Sequence, residues 1–251
     1  MHNQAVMFSL DASKPAEMFA GERMSDPSAE LVADIVRRAQ GFDARGLLAL
    51  VIPLFPGRIC AVSSFGAESA VTLALIAEVA PAMPVLFLDT NKLFPETLAY
   101  RDALIERLGL TDLRNLQPDP GMVEAADPAG DLWRRDPDDC CLLRKVLPLE
   151  DALSGFSAWI NGRKRYHGNR RASLPRIELV DGRMKLNPLA DWTPEMVRTA
   201  FLERDLPRHP LAARGYPSIG CAPCTRPSRA GENVRAGRWM GHSKTECGIH
   251  R

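Results

Sequence analysis

The sequence predicts an α/β chain built on a mostly parallel, open sheet with helices on both faces. Residues Arg58-Ile59-Cys60-Ala61-Val62 are short, apolar and bounded by Pro56-Gly57, as a buried strand is. A second apolar strand is expected at 85–88, after Pro84, and a loop plus a helical run at 70–80 lie between the two, giving a β-loop-α-β unit. Another amphipathic helix follows at 97–108, so strands and helices alternate, the order that parallel helix-covered sheets require.

The remaining elements fit around that unit. Residues 1–25 carry little periodic signal; Asp26-Pro27 then reads as an N-cap with Pro at the first helical position, leading into Leu31, Val32, Ile35, Val36 and Ala39 on one face. An apolar helix is expected at 44–50. Residues 127–139, dense in Pro, Asp and Arg, read as an exposed loop, and 142–153 as the helix behind it. Ala158-Trp159-Ile160 reads as a strand, with Trp133, Trp159 and Trp192 as packing residues. Segments 176–180 and 183–186, separated by Asp181-Gly182, fit a two-residue hairpin. Thr193-Pro194 caps a helix reaching about 204. Beyond Pro207 the chain is rich in Gly, Pro, Arg and Ser, so it divides into a domain at 1–230 and a mobile tail at 231–251 without a rigid core of its own.

Composition narrows the function. Across 251 residues, 32 Lys and Arg stand against 31 Asp and Glu, a formal charge of +1. No global field draws such a chain to nucleic acid or a membrane, so any anion site must be local. No apolar stretch approaches the roughly 18 residues of a spanning helix, and the first ten residues lack a basic start and apolar run. A soluble, cytoplasmic protein is the expectation, in a compartment that keeps thiols reduced.

Six cysteines carry most of the chemical information. Cys60, inside a strand pattern, reads as a small buried hydrophobe. Cys140-Cys141 are adjacent, about 3.8 Å apart along the chain and below the roughly 4.4 Å where disulfides begin, so a bridge between them would be strained. With Cys221-Ala222-Pro223-Cys224 they make four thiolates, the ligand count of a tetrahedral zinc site or an iron-sulfur cubane. Cys247, in the tail, is left for chemistry.

The loop Ser63-Ser64-Phe65-Gly66-Ala67-Glu68-Ser69 joins a buried strand to a helix at the carboxyl edge of the sheet. Backbone N–H groups and the positive helix end face whatever binds there, so the place suits an anion; an ordinary Ser/Gly connection is the alternative. The loop lacks the Gly-Lys-Ser/Thr ending of a Walker loop. It resembles the pyrophosphate loop of the adenine nucleotide alpha hydrolase superfamily. Asp89, directly after the second strand, either accepts hydrogen bonds from a ribose or base or caps the following helix.

Further motifs follow in order: Leu88-Asp89-Thr90-Asn91-Lys92-Leu93-Phe94-Pro95-Glu96-Thr97, Cys140-Cys141 leading to Arg144-Lys145-Val146, Trp159-Ile160 with a basic run from Arg163 to Arg171, the Cys221/Cys224 pair, Gly237-Arg238-Trp239, and Lys244-Thr245-Glu246-Cys247-Gly248-Ile249-His250. From about residue 58 onward the chain thus resembles the adenylyl-sulfate and phosphoadenylyl-sulfate reductase family of sulfate assimilation. The resemblance implies reduction of adenylyl sulfate to sulfite and AMP. Cys247 is then the nucleophile that forms an S-sulfocysteine, and a thioredoxin or glutaredoxin-like partner supplies the second thiol. It also implies a 4Fe-4S cluster on Cys140, Cys141, Cys221 and Cys224. Substrate contacts fall to Ser63, Ser64, Phe65, Gly66, Glu68, Ser69, Asp89, Lys145, Lys164, Arg165, Arg171 and Arg238, with Lys145 linking the cysteines to the phosphosulfate. Lys244 and His250 are candidates for lowering the Cys247 pKa, with solvated tail residues as the alternative, and Trp239 is expected to help dock the tail.

The chain departs from the family pattern in three places: Lys164 for Arg, His167-Gly168 for Gln-Ser, and Asn91 for Gly. Alternatives are preference for the 3′-phosphorylated nucleotide, an ATP-dependent tRNA-modifying enzyme sharing the loop, and a non-catalytic zinc module; the terminal Glu246-Cys247-Gly248-Ile249-His250 argues against the tRNA enzyme. A homo-oligomer is compatible with every motif.

Overall fold

Strands β1 (Ile59–Ser63), β2 (Val85–Leu88), β3 (Leu113–Leu116), β4 (Ala158–Ile160), β5 (Ile177–Val180) and β6 (Arg183–Leu186) form one sheet in the order β3-β2-β1-β4-β6-β5. This computed structural model describes residues 27–229 and 231–250. Every pairing is parallel except the β5-β6 hairpin; Ala61 stands opposite Val85, and Ile59 opposite Ala158. Asp181 and Gly182 both have positive φ, 49° and 73°, the turn whose twist matches two antiparallel strands.

Alternation along the strands builds two cores. Ile59, Ala61, Val85, Phe87, Ala158 and Ile160 face one side, packed with helices α1 (Ala29–Arg38), α2 (Ala44–Val51), α3 (Ser69–Val79) and α4 (Pro95–Leu108). Cys60, Leu86, Leu88 and Trp159 face the other, against Leu149 and Leu153 and, from the tail, Ile249. Both faces are therefore covered, as the near-continuous apolar runs require. Helix α3 is buried from Ala70 through Ile76, because the sheet lies on one side and α2, α4 and α9 (Pro194–Glu203) on the others. Each fully buried Leu, Ile or Phe in such a core stabilises the fold by roughly 1.5–3 kcal/mol.

Three expectations change. Asp26, the expected first cap, lies outside the described residues, as do 1–25; α1 starts two residues beyond Pro27, at Ala29, because Ser28 Oγ accepts from Leu31 N at 3.2 Å. Of its expected apolar face, Ile35 and Ala39 are buried while Val36 is exposed. Segment 127–139 is not one exposed loop. It holds α6 (Leu132–Arg135) and the start of α7 (Pro137–Cys141), after α5 (Pro120–Ala126), because Asp136 caps α7 from its side chain and buried Asp127 pairs with Arg144 at 2.8 Å. The expected helix at 142–153 is a wide π-helical turn, Leu142–Val146, followed by α8 (Leu147–Leu153), which packs on β2 and β3. Strand β3 and helix α5 were not among the expected elements, although Asp119-Pro120 is a cap signal of the same kind as Thr193-Pro194, with Asp119 accepting from Met122 N.

Tail residues 231–250 form no helix or strand, yet they are docked. Trp239 is 4% exposed, with Arg238, Arg235 and Lys244 over its ring at 4.5, 5.6 and 5.9 Å. His250 stacks flat on Trp159 at 5.5 Å between centroids.

Candidate active site

The carboxyl ends of β1, β2 and β4 open onto one cavity beside the point where strand order reverses, between β1 and β4. After β1 the chain turns sharply. Phe65 takes φ 46°, its N–H donates to Ser63 Oγ at 3.2 Å, and its ring is fully buried, edge-on to Phe87. That anchored ring fixes the loop from below. At Gly66 the backbone approaches a neighbouring segment closely: a Cβ there would lie 3.3 Å from the Ile219 carbonyl oxygen, a tight contact. No side chain caps the start of α3, so its first N–H groups and positive dipole end face the cavity at Ser69.

Ser63, Ser64, Gly66, Glu68, Ser69, Lys145, Lys164, Arg171, Arg238 and Cys247 all line this cavity. Six cationic side chains, with Arg163 and Arg235 added, stand against two carboxylates, Glu68 and Glu246, so the cavity is a strong local anion site in a nearly neutral chain. Arg238 donates to Ser218 Oγ at 3.4 Å, while its buried Nε has no partner among the described residues. Gly220 leaves room for this guanidinium; a Cβ there would overlap it.

Glu68 is already engaged. Tyr166 Oη donates to it at 2.6 Å, Lys164 Nζ lies 3.0 Å away and His167 Nε2 3.1 Å. Burial alone would raise its pKa, but His167, Lys164 and Tyr166 outweigh burial and hold it well below the usual carboxylate range. Its role here is to organise the basic segment. Phe65, Asp89 and Arg165 do not line the cavity. Phe65 belongs to the core. Asp89 accepts from Asn91 N and from Gln117 Nε2 at 3.1 and 3.3 Å. Arg165 donates to the Leu174 carbonyl at 2.7 Å and pairs with Asp191.

Cys140, Cys141, Cys221 and Cys224 line a second, smaller pocket with Lys145, Arg144, Arg238 and Trp239. The first pair ends α7, and the second is brought in by a bridge between Leu93 and Cys221 and by the Ala222 N–H on the Lys92 carbonyl at 2.7 Å. Arg144 ties the first pair to the sheet, donating to the Thr90 carbonyl at 3.1 Å as well as to Asp127. Burial, then the neighbouring Cys141 and Cys221, pushes the Cys140 thiol up to about 12; burial pushes Cys141 up to about 11 against the pull of Lys145. Cys221 is lowered, because Lys145, the Thr90 hydroxyl at 3.2 Å and Arg238 outweigh burial. Lys145 lines both pockets.

The tail closes the cavity from above. Arg171 holds Glu246 with two parallel bonds, at 2.6 and 2.8 Å, and Arg235 adds a third at 3.3 Å. Cys247 is the next residue. Arg163, His167, Arg235 and Glu246 were not assigned to the site from sequence, His167 being noted only as a departure from the family pattern; the dense basic run, the charge just before Gly237-Arg238-Trp239 and the neighbour of Cys247 were the available signals.

Residues 58–227 match the phosphoadenosine phosphosulfate reductase domain. The chain belongs to that family. It is 50% identical over 197 residues to adenosine 5′-phosphosulfate reductase of Mesorhizobium japonicum, covering 78% of each chain. It is 40% identical over 232 residues to the Streptomyces coelicolor enzyme of the same name, covering 91% of this chain and 97% of that one. Among solved structures, phosphoadenylyl-sulfate reductase from Candida auris superposes with a TM-score of 0.68 at 24% identity, over 79% of this chain and 97% of that one. That reductase thus has the same overall fold as this chain.

Proposed function

We propose that the chain reduces adenylyl sulfate to sulfite and AMP in sulfate assimilation, with Cys247 as the nucleophile. The observation that carries the reading is that Cys247 lines the same cavity as the uncapped α3 N-terminus and Lys145, Arg171 and Arg238, in a chain 50% identical over 197 residues to an adenosine 5′-phosphosulfate reductase. The Cys247 thiolate attacks the sulfate sulfur; an S–S bond forms, the bond from sulfur to the phosphate oxygen breaks, and AMP leaves with that electron pair. A thiol of a thioredoxin or glutaredoxin-like partner then attacks Cys247 Sγ and releases sulfite, and a second partner thiol resolves the mixed disulfide. The two partner thiols lose two electrons and sulfur gains them. A tail that leaves the cavity to meet the partner serves this sequence, because Cys247 has two clients.

The four-cysteine pocket fits a 4Fe-4S cluster held by Cys140, Cys141, Cys221 and Cys224. Four thiols face one pocket, the ligand count of such a cubane. Four thiolates satisfy zinc as well, and it is the resemblance to the reductase family that favours iron and sulfur. Such a group would keep the four as thiolates and supply a charged wall beside Lys145. Ser63, Ser64, Gly66 and Ser69 would hold phosphate oxygens, and Lys145, Arg171 and Arg238 the sulfonate.

None of the helices among the described residues is long and apolar enough to cross a membrane. A chemistry that uses a free Cys247 thiol and reducing partner thiols is in keeping with a cytoplasmic setting. The test is thiol-dependent sulfite release, comparing kcat/KM for adenylyl sulfate and its 3′-phosphorylated form. Adenylyl sulfate is expected to be favoured, with activity lost in Cys247→Ser while iron content persists. Faster turnover of the 3′-phosphorylated form would reassign the substrate.

A further inference from the structure

We propose that His167 is a positioning residue: it transmits the geometry of the loop after β1, through Arg171 and Glu246, to the tail segment that carries Cys247. The chain of contacts is continuous. Glu68, in the loop, meets His167 Nε2 at 3.1 Å; His167 Nδ1 meets Arg171 Nη1 at 3.2 Å; Arg171 Nε and Nη2 meet the two Glu246 oxygens at 2.6 and 2.8 Å. Glu246 and Cys247 are neighbours in sequence.

The donor inventory fixes the state of the ring. A guanidinium only donates, so His167 Nδ1 accepts from Arg171 and carries no hydrogen. Nε2 then carries the hydrogen and donates to Glu68. This neutral tautomer satisfies both neighbours at once; with hydrogens on both nitrogens, the ring would turn an N–H toward the arginine. Lys164 and Tyr166 crowd the same carboxylate, and the Tyr166 ring stands edge-on to His167 at 4.6 Å between centroids. Burial, with the charges of Lys164 and Arg171 beside it, lowers the His167 pKa against the pull of Glu68, in keeping with the neutral ring.

The consequence for Arg171 is orientation. One edge of its fork is taken by the imidazole, which leaves Nε and Nη2 turned to Glu246, with Arg235 bonding Glu246 and the Thr245 carbonyl at 2.8 Å from the other side. A loop that shifts on taking a nucleotide therefore changes how firmly the tail is held. A carboxamide also offers one acceptor and one donor group, so Gln at 167 preserves the bridge and Ala removes it.

Cys247 docking is read without substrate by the rate of iodoacetamide alkylation, resolved at Cys247 by peptide mass spectrometry. His167→Ala is expected to raise that rate about tenfold or more, the range spanned by losing a charge-assisted hydrogen bond. His167→Gln is expected to stay within about threefold of the parent, and Glu246→Gln to rise as His167→Ala does. With adenylyl sulfate and no thiol, sulfonation of Cys247 in His167→Ala is expected to slow by a similar factor while AMP affinity changes less than about threefold. This last arm rests on the function proposed above, but alkylation does not: a parent that forms no sulfonate adduct refutes that function and leaves the docking result readable. The inference is overturned if folded His167→Ala alkylates at the parent rate, or if His167→Gln behaves like Ala. Should His167→Ala not fold, the Glu246→Gln and His167→Gln pair decides by the same criteria.

Discussion

Single residues in this protein do their work through burial as often as through exposure. Phe65 sits in the loop after β1 with positive φ, but its ring is in the core; Phe65→Ala is expected to cost about 3–5 kcal/mol in denaturant unfolding and to loosen the loop with it. His209 is a second case. The Leu211 N–H donates to Nδ1 at 3.1 Å, so Nε2 carries the hydrogen and gives it to Thr97 Oγ1 at 3.0 Å. Burial brings His209 down to about 4 from 6.5. Between those values the unfolded chain binds a proton that the folded chain refuses. Stability is therefore expected to fall as pH drops from about 6.5 toward 4, by up to about 3 kcal/mol, and the slope is expected to flatten in His209→Gln. An unchanged slope would contradict the neutral buried ring. Basic residues show where sequence reading stops at this scale: the family resemblance put Lys164, Arg165 and Arg171 in the site, but Arg165 turns to the Leu174 carbonyl and Asp191, while Arg163 and Arg235 line the cavity. Which of several neighbouring cations faces a cavity depends on partners far along the chain.

Elements whose signal is local were legible, and those made by distant partners were not. Strands β1, β2 and β4 are apolar runs bounded by turn residues, and the β5-β6 hairpin is announced by Asp181-Gly182. Gly182→Ala, placing a Cβ at φ 73°, is expected to cost about 1 kcal/mol in the same unfolding assay. Strand β3, by contrast, has exposed Arg114 and Asn115 at its centre and exists because its backbone pairs with β2. Helices α6 and α7 follow from the buried Asp127–Arg144 pair and the Asp136 cap, neither visible as a pattern in a Pro- and Asp-rich stretch. Arg144→Met leaves Asp127 buried and unpaired, so a loss of about 3–5 kcal/mol is expected. Part of it should return when Asp127→Asn is added. No recovery in the double variant would show that Arg144 acts through Thr90 instead.

Across the whole molecule, the parallel sheet sets the positions of loops that are distant in sequence, and the tail then completes what the sheet begins. The carboxyl edge of β1, β2 and β4 gathers the Ser63–Ser69 loop and the basic segment, the π-helical turn after Cys141 adds Lys145, and the docked tail brings Arg235, Arg238 and Cys247 over them. The motifs were readable because each is a short run with its own chemistry; the clamp of Arg171 and Arg235 on Glu246 was not, since it joins residues 75 and 11 positions apart. Transfer of the sulfonate group from a nucleotide to Cys247, held over the cavity, is the step on which the proposed function depends. Its most direct test is intact-protein and peptide mass spectrometry after adding adenylyl sulfate without any thiol. One sulfonate on Cys247, absent in Cys247→Ser, is the expected result. An unmodified protein that nonetheless binds the nucleotide, or an adduct that persists in Cys247→Ser, would contradict it.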